Sequence, residues 1–276
     1  MAVTQLDKGN AFRALHEGPR AFVIANVWDA GSARILAGLG FAALATSSAA
    51  SAGTYGARDG GIARDQALAH ARAVVGATDL PVSADLESGF GDTPEEVAKT
   101  YREAAAVGLV GATLEDARPG RNPDKPLFGI AEATERVAAA VEATRRLGFP
   151  FLLTARAEGF LRGSTDLADA IRRLQAYERA GADVLMAPGL PDLAAVKAVC
   201  AAISKPFNFM VGIPGKSFPV AALEAAGVRR ISLATSLYRA AMGGLVDAAR
   251  EVKEKGTFAY VDTSLPSAEL AGFMRA

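Results

Sequence analysis

Eight short apolar runs recur along this chain, separated by longer segments rich in Ala, Arg and Glu. They are AFVIANVW from Ala21, AALATSS from Ala42, PVSADLE from Pro81 and GATLED from Gly111. FLLTARAE follows from Phe151, then VLMAPG from Val184, FNFMVG from Phe207 and RISLATS from Arg230. Runs that are apolar without strict alternation suit strands buried on both faces, the condition of a parallel sheet covered by helices. Strand and helix in alternation make βαβ units. Eight in regular succession predict a closed (β/α)8 barrel of the α/β class rather than an open doubly wound sheet. The 276 residues suit one such domain, 1–276 with a tail over 257–276, because this barrel takes about 250 residues.

Helical spacing supports the segments between the runs. Val97, Tyr101, Ala104 and Ala105 recur on one helical face, as do Leu167, Ile171, Leu174 and Tyr177. Thr93-Pro94-Glu95-Glu96 reads as an N-cap, a first-turn proline and two first-turn acids. Gly108, Gly148 and Gly181 are expected to end helices. Thirty basic residues balance thirty acidic ones, so neither nucleic acid nor an anionic membrane is an expected partner. The one cysteine, Cys200, rules out an intramolecular disulfide and fits a reducing cytoplasm. Met1 to Arg20 is charged throughout and carries no signal-like apolar run. No stretch reaches the roughly 20 apolar residues of a membrane span. A cytoplasmic, soluble protein is expected.

In such a barrel the active site lies at the C-terminal ends of the strands. The third run delivers Asp85 and Glu87 there, two residues apart and so expected on one side of the strand. The fourth delivers Glu115 and Asp116, and the fifth Arg156 and Glu158. The second leads into Thr46-Ser47-Ser48, with Asp59 a little beyond. Trp28, closing the first run, and Asn208, within the seventh, are also placed on the substrate side. Acids converging beside one arginine are costly to bury unless a cation joins them. Clustered oxygen ligands without histidine or thiolate suit Mg2+, or Mn2+, rather than zinc. Arg156 is then either a counter-ion for Glu115 or Glu158, or a clamp for a substrate carboxylate. His16 and His70 fall outside the runs and are read as surface or packing residues, and Cys200 as packed. No run contains a lysine, which excludes Schiff-base chemistry on a strand. Lys216 lies in the glycine-rich turn Gly212-Ile213-Pro214-Gly215 and is read as solvated. No GxGxxG motif precedes a helix, so a dinucleotide fingerprint is missing.

The segment Asn26 to Arg34, with TSSAASAGTYGARDG, SADLESGFGD, GATLED and LTARAEGF in series, resembles the isocitrate lyase/phosphoenolpyruvate mutase superfamily over nearly the whole chain. The resemblance implies Mg2+ and substrates that are 2-oxo acids or yield them through a metal-stabilised enolate. It places Asp85 as direct metal ligand, with Glu87, Glu115 and Asp59 around metal-bound waters. Arg156 matches the arginine that binds a substrate carboxylate, and Thr46-Ser47-Ser48 matches the loop that holds the 2-oxo acid's carboxylate end. Glu87 stands where many members have aspartate. The C–C lyases carry a Lys-Lys-Cys-Gly-His stretch after the fourth strand, but here the stretch reads ARPGRNPDKPLFG, without cysteine. That favours decarboxylation of an oxaloacetate-like 2-oxo acid over cleavage of isocitrate or 2-methylisocitrate. Asn122 in the same stretch points toward the P–C bond chemistry of the phosphonomutases and joins Asp59, Glu115 and Arg156 as a candidate catalytic residue. Residues 117–128, proline-rich and charged, are expected to be mobile. The tail ends in Leu270, Phe273 and Met274 at helical spacing. The resemblance implies that this extra helix packs on a neighbouring subunit in a homotetramer.

Overall fold

The computed structural model describes residues 3–121 and 124–274. Every run contains a strand: β1 Phe22–Val27, β2 Leu44–Thr46, β3 Val82–Asp85, β4 Gly111–Glu115, β5 Leu152–Arg156, β6 Val184–Met186, β7 Phe207–Met210 and β8 Arg230–Ser232. The strands pair in chain order and in parallel, and β8 returns to β1, with Phe22 opposite Arg230. This is the closed eight-stranded barrel that the sequence predicts. Helices α1 Gln5–Glu17, α2 Ala30–Gly38, α3 Ser48–Thr54, α4 Arg64–Ala77, α5 Pro94–Ala106 and α6 Ile130–Arg145 lie in the first half. The second half adds α7 Leu167–Arg179, α8 Leu193–Ala202, α9 Val220–Ala225, α10 Ser236–Arg250 and α11 Ser267–Phe273. No helix among the described residues is long and apolar enough to cross a membrane.

Local chemistry explains the boundaries. Thr93 caps α5 through a reciprocal pair of hydrogen bonds with Glu96, and Pro94 occupies the first turn. The predicted stripe of Val97, Tyr101, Ala104 and Ala105 is buried. Gly108 and Gly181 take left-handed backbone angles after α5 and α7, as helix-ending glycines do. Gly148 does not. The helix before it stops three residues earlier, and Arg146 takes the capping position in an ordinary conformation.

One end of the barrel is plugged by α1. Phe12 enters the floor beside Ile24, Val110, Leu152 and Val184. It fits because β4 begins with glycine: a Cβ at Gly111 would stand 2.8 Å from the Phe12 ring. His16 follows one turn later, edge-on to Phe12 and Phe22, with Nδ1 2.8 Å from the Phe12 carbonyl and Nε2 3.3 Å from Arg230. Burial, with help from the Arg230 charge, pushes its pKa down to about 3. The unfolded chain protonates this imidazole near pH 6.5 and the folded chain only near pH 3, so between these values the unfolded state binds more protons. Stability is therefore lost as pH falls below about 6.5, by up to about 1.4 kcal/mol per pH unit from this group. Melting at pH 7, 6 and 5 should show this fall, and His16→Leu should flatten it. An unchanged slope in the variant would assign the acid sensitivity elsewhere.

Candidate active site

The other mouth of the barrel opens into a cavity of about 640 Å³. At its base stands Arg156, the last residue of β5, almost completely buried. Its Nη1 is 3.0 Å from Asp85, and its Nη2 is 3.2 Å from Glu115 and 2.7 Å from Glu158. Nε adds a second bond to Glu158 at 2.9 Å. Sheet register makes this meeting unavoidable, since Glu115 pairs with Arg156 and Asp85 with Thr113, whose hydroxyl donates to Asp85. The sequence offers Glu115 or Glu158 as counter-ion to Arg156, and the structure shows both in that place, with Asp85 as a third.

These carboxyls are not equivalent. Burial resists ionisation of Asp85, but Arg156 and the donors of Ser48 and Glu87 outweigh it and hold the carboxyl below its ordinary range. Burial and the neighbouring Glu158 charge push Glu115 well above the ordinary range, against the pull of Arg156. Asp116 has a different task. It is buried and accepts from the Glu158 amide at 2.8 Å, Tyr177 Oη at 2.6 Å and Arg173 Nη1 at 2.9 Å. It braces the segment behind the site.

Strand alternation does not place Glu87, because β3 stops at Asp85. Glu87 instead takes a left-handed φ of 52°, which turns its side chain to the cavity wall while its amide donates to Asp85. Phe90 has the same strained φ. Non-glycine residues of this kind cost on the order of 1–3 kcal/mol and persist where surroundings hold them. Here Arg136 holds the loop, donating to the carbonyls of Ser88, Gly91 and Asp92. Its guanidinium and that of Arg118 each lie 4.3 Å from the centroid of the Phe128 ring.

The remaining predicted residues divide. Ser48 gives its amide and hydroxyl to Asp85, and Thr46 Oγ1 accepts from the Asp85 amide, so this loop positions Asp85. Asp59 lies exposed on the cavity rim. Ser47 and Asn208 face a smaller inner cavity of about 60 Å³ below Arg156. The Asn208 amide is committed there to Arg230 and Ser232. Trp28 lies outside both cavities, edge-on to Tyr238 at 5.6 Å, its carbonyl in contact with His70 Nε2. Asn122 lies outside the described residues. Lys216 is not the solvated turn residue expected: half-buried, it donates to the Gly189 carbonyl and ties two loops together. His70 is buried between Ser51 and Trp28, and burial raises the Cys200 thiol to about 11. Of the predicted loop, Ala117 and Leu127 form an antiparallel bridge, and Ala117 to Gly120 line the cavity. Sequence reasoning missed Arg162, which lines the cavity from the 3-10 turn Gly159–Arg162. The segment GFLRG carries no strand or helix signal that would have marked it.

Among the described residues, the lining acids Asp59, Glu87, Asp92, Glu96, Glu115 and Glu158 outnumber the arginines Arg118, Arg156 and Arg162. A surplus of clustered carboxylates needs a cation, and an all-oxygen donor set suits Mg2+ or Mn2+. In donor type and charge the site therefore fits a hard divalent ion. Among the described residues no three acid, histidine or cysteine side chains stand at metal-holding spacing, because Asp85 and Glu115 turn to Arg156.

A family model described as phosphoenolpyruvate phosphomutase matches residues 12–253. The fold closely follows that of a Burkholderia cenocepacia J2315 protein, provisionally described as a lyase/mutase. The two are 47% identical with a TM-score of 0.95, over 99% of this chain and 97% of that one. Oxaloacetate decarboxylase of Ectopseudomonas mendocina (strain ymp) is 31% identical over 88% of this chain and 83% of its own length. 2-Methylisocitrate lyase of Escherichia coli (strain K12) is 30% identical over 72% of this chain and 68% of its own.

Proposed function

Because the chain belongs to the phosphoenolpyruvate phosphomutase family and resembles proteins named as lyases and decarboxylases, we propose that it is a Mg2+-dependent decarboxylase of a small, oxaloacetate-like 2-oxo dicarboxylate. The observation that carries this reading is the chemistry of the cavity wall. Its described lining holds carboxylates, arginines and serines but no thiol, imidazole or amine. Cleavage that expels a carbanion calls for a placed proton donor, and the lining carboxyl held above its ordinary range, Glu115, is turned to Arg156. Decarboxylation instead expels neutral CO2, the electron pair passes to the C2–O group, and the resulting enolate takes a proton on carbon 3 from solvent. The resemblance to an oxaloacetate decarboxylase supports the same choice.

Asp85, with Glu87 and Glu115, would hold the ion, which when bound supplies electrophilic pull on the 2-oxo group. Ser48 holds the Asp85 carboxylate and Thr46 its backbone amide, and Arg156 supplies positive charge at the base of the cavity. The deciding experiment is a substrate panel of oxaloacetate, phosphonopyruvate and 2-methylisocitrate with Mg2+, against a control without protein. Pyruvate should form from oxaloacetate well above the control, and EDTA should stop it reversibly. Turnover of phosphonopyruvate or 2-methylisocitrate without turnover of oxaloacetate would sink the proposal.

We propose further that the protein works as a homo-oligomer, in the form of a tetramer. The last barrel helix, α10, has no buried residue. Leu245, Val246, Phe258, Val261 and Leu265 are exposed with it, while α11 touches its own barrel through Phe273 at Gly38. A second copy of this chain is the occupant we assign to that surface, since large apolar side chains left exposed on one helix and the tail after it suit an interface.

A further inference from the structure

Resting on the reading above, we propose that Arg162 is the residue that recognises the distal carboxylate, the one borne on carbon 3 of the 2-oxo acid. A dicarboxylate entering this cavity meets more acids than bases, so its second charge needs a cation with donors to spare. Arg156 has at most one, since Nε, Nη1 and Nη2 all bind protein carboxylates and only the second N–H of Nη1 is left. Arg118 gives Nε to the Leu127 carbonyl and Nη2 to Glu132, and lies against Phe128. Arg162 differs. Its Nε is buried without a hydrogen-bond partner, and its Nη2 is 3.7 Å from Glu115, beyond hydrogen-bonding distance. A buried donor left unmade carries a desolvation cost that an incoming acceptor removes.

The backbone fixes where this guanidinium sits. The amides of Leu161 and Arg162 both donate to the Glu158 carbonyl, and the Ser164 amide closes the turn on Gly159. Glu158 also grips Arg156. One residue thus sets the separation of the spent arginine from the unspent one, a ruler for a substrate with two charges. The planar fork of Arg162 matches a carboxylate.

The two ends of the substrate can be tested separately. Oxalate mimics the 2-oxo acid head and has no distal group, whereas 3,3-difluorooxaloacetate carries both carboxylates. Calorimetry of the full-length protein with Mg2+ should show Arg162→Gln binding difluorooxaloacetate about tenfold to a hundredfold more weakly than wild type. Its oxalate affinity should stay within about twofold, and Arg162→Lys should recover part of the loss. In turnover, KM for oxaloacetate should rise and kcat should not fall, because the contact is to a charge that departs as neutral CO2 and is therefore stronger in the ground state than in the transition state. Equal changes for both ligands, or none for either, would overturn the assignment of Arg162 while leaving the 2-oxo acid reading in place. Selective loss of phosphonopyruvate affinity would give the distal site to a phosphonate and overturn the carboxylate. Failure of wild type to bind oxalate would overturn the function itself, and this inference with it.

Discussion

Asp85→Ala should reduce turnover by about a thousandfold or more while the barrel stays folded. The side chain accepts from the Ser48 amide and hydroxyl, the Thr113 hydroxyl, the Glu87 amide and Arg156. Alanine removes the acceptor for all of these and leaves Arg156 to Glu115 and Glu158. Each donor left without a partner costs about 1–3 kcal/mol where it is sealed from water. Asp85 lines the small inner cavity and its side chain is 17% exposed, so water can take over part of the bonding. Unfolding is therefore not the expected result. Circular dichroism should show a native spectrum, and Asp85→Asn should keep the shape while losing the charge. Mg2+ should raise the melting temperature of wild type, as any ligand of the native state does, and should leave that of Asp85→Ala unmoved. Undiminished turnover in the alanine variant would remove the basis of the site.

Deleting residues 257–276 should break the assembly. Wild type should scatter light as about four chains of 28.4 kDa, and the truncated protein as a smaller species. The physical reason is unburied apolar surface. Leu245 and Phe258 are each 61% exposed and Val261 is 58% exposed in the isolated chain. Burying apolar surface contributes about 25 cal/mol per Å², so a helix and tail presenting this many large side chains have strong reason to meet a partner. A tail of seven helical residues cannot be stable alone in water and depends on what it packs against. A wild type that runs as a monomer, or a truncated protein of unchanged mass, would show the idea to be wrong.

The fold was legible because buried parallel strands demand unbroken apolar runs, and eight of them stand in order with capped helices between. The meeting of the candidate site residues was legible to the same extent: Asp85, Glu115 and Arg156 sit at strand ends, where register alone brings them together. What could not be read was which side chains are already engaged. Asn208 looks free in a strand, yet Arg230 takes its oxygen from the neighbouring strand. Ser48 looks like a substrate cradle, yet it serves Asp85. Lys216 looks solvated and holds a carbonyl. Conversely, Arg162 matters because of bonds it does not make, and a missing bond leaves no trace in one dimension. Glu87 shows the limit of strand alternation, which ends where the strand does.

The seam that joins β1 to β8 also has a schedule. A ribosome releases Phe22 about two hundred residues before its partner Arg230. At roughly 5–20 residues per second, that leaves on the order of ten to forty seconds in which one edge of the first strand has no mate in its own chain. An unpaired edge is a template for strands of other chains. The closed ring that leaves the mature barrel without edges therefore makes the nascent chain wait for its own last strand, and during that wait it has the shape of a chaperone's client.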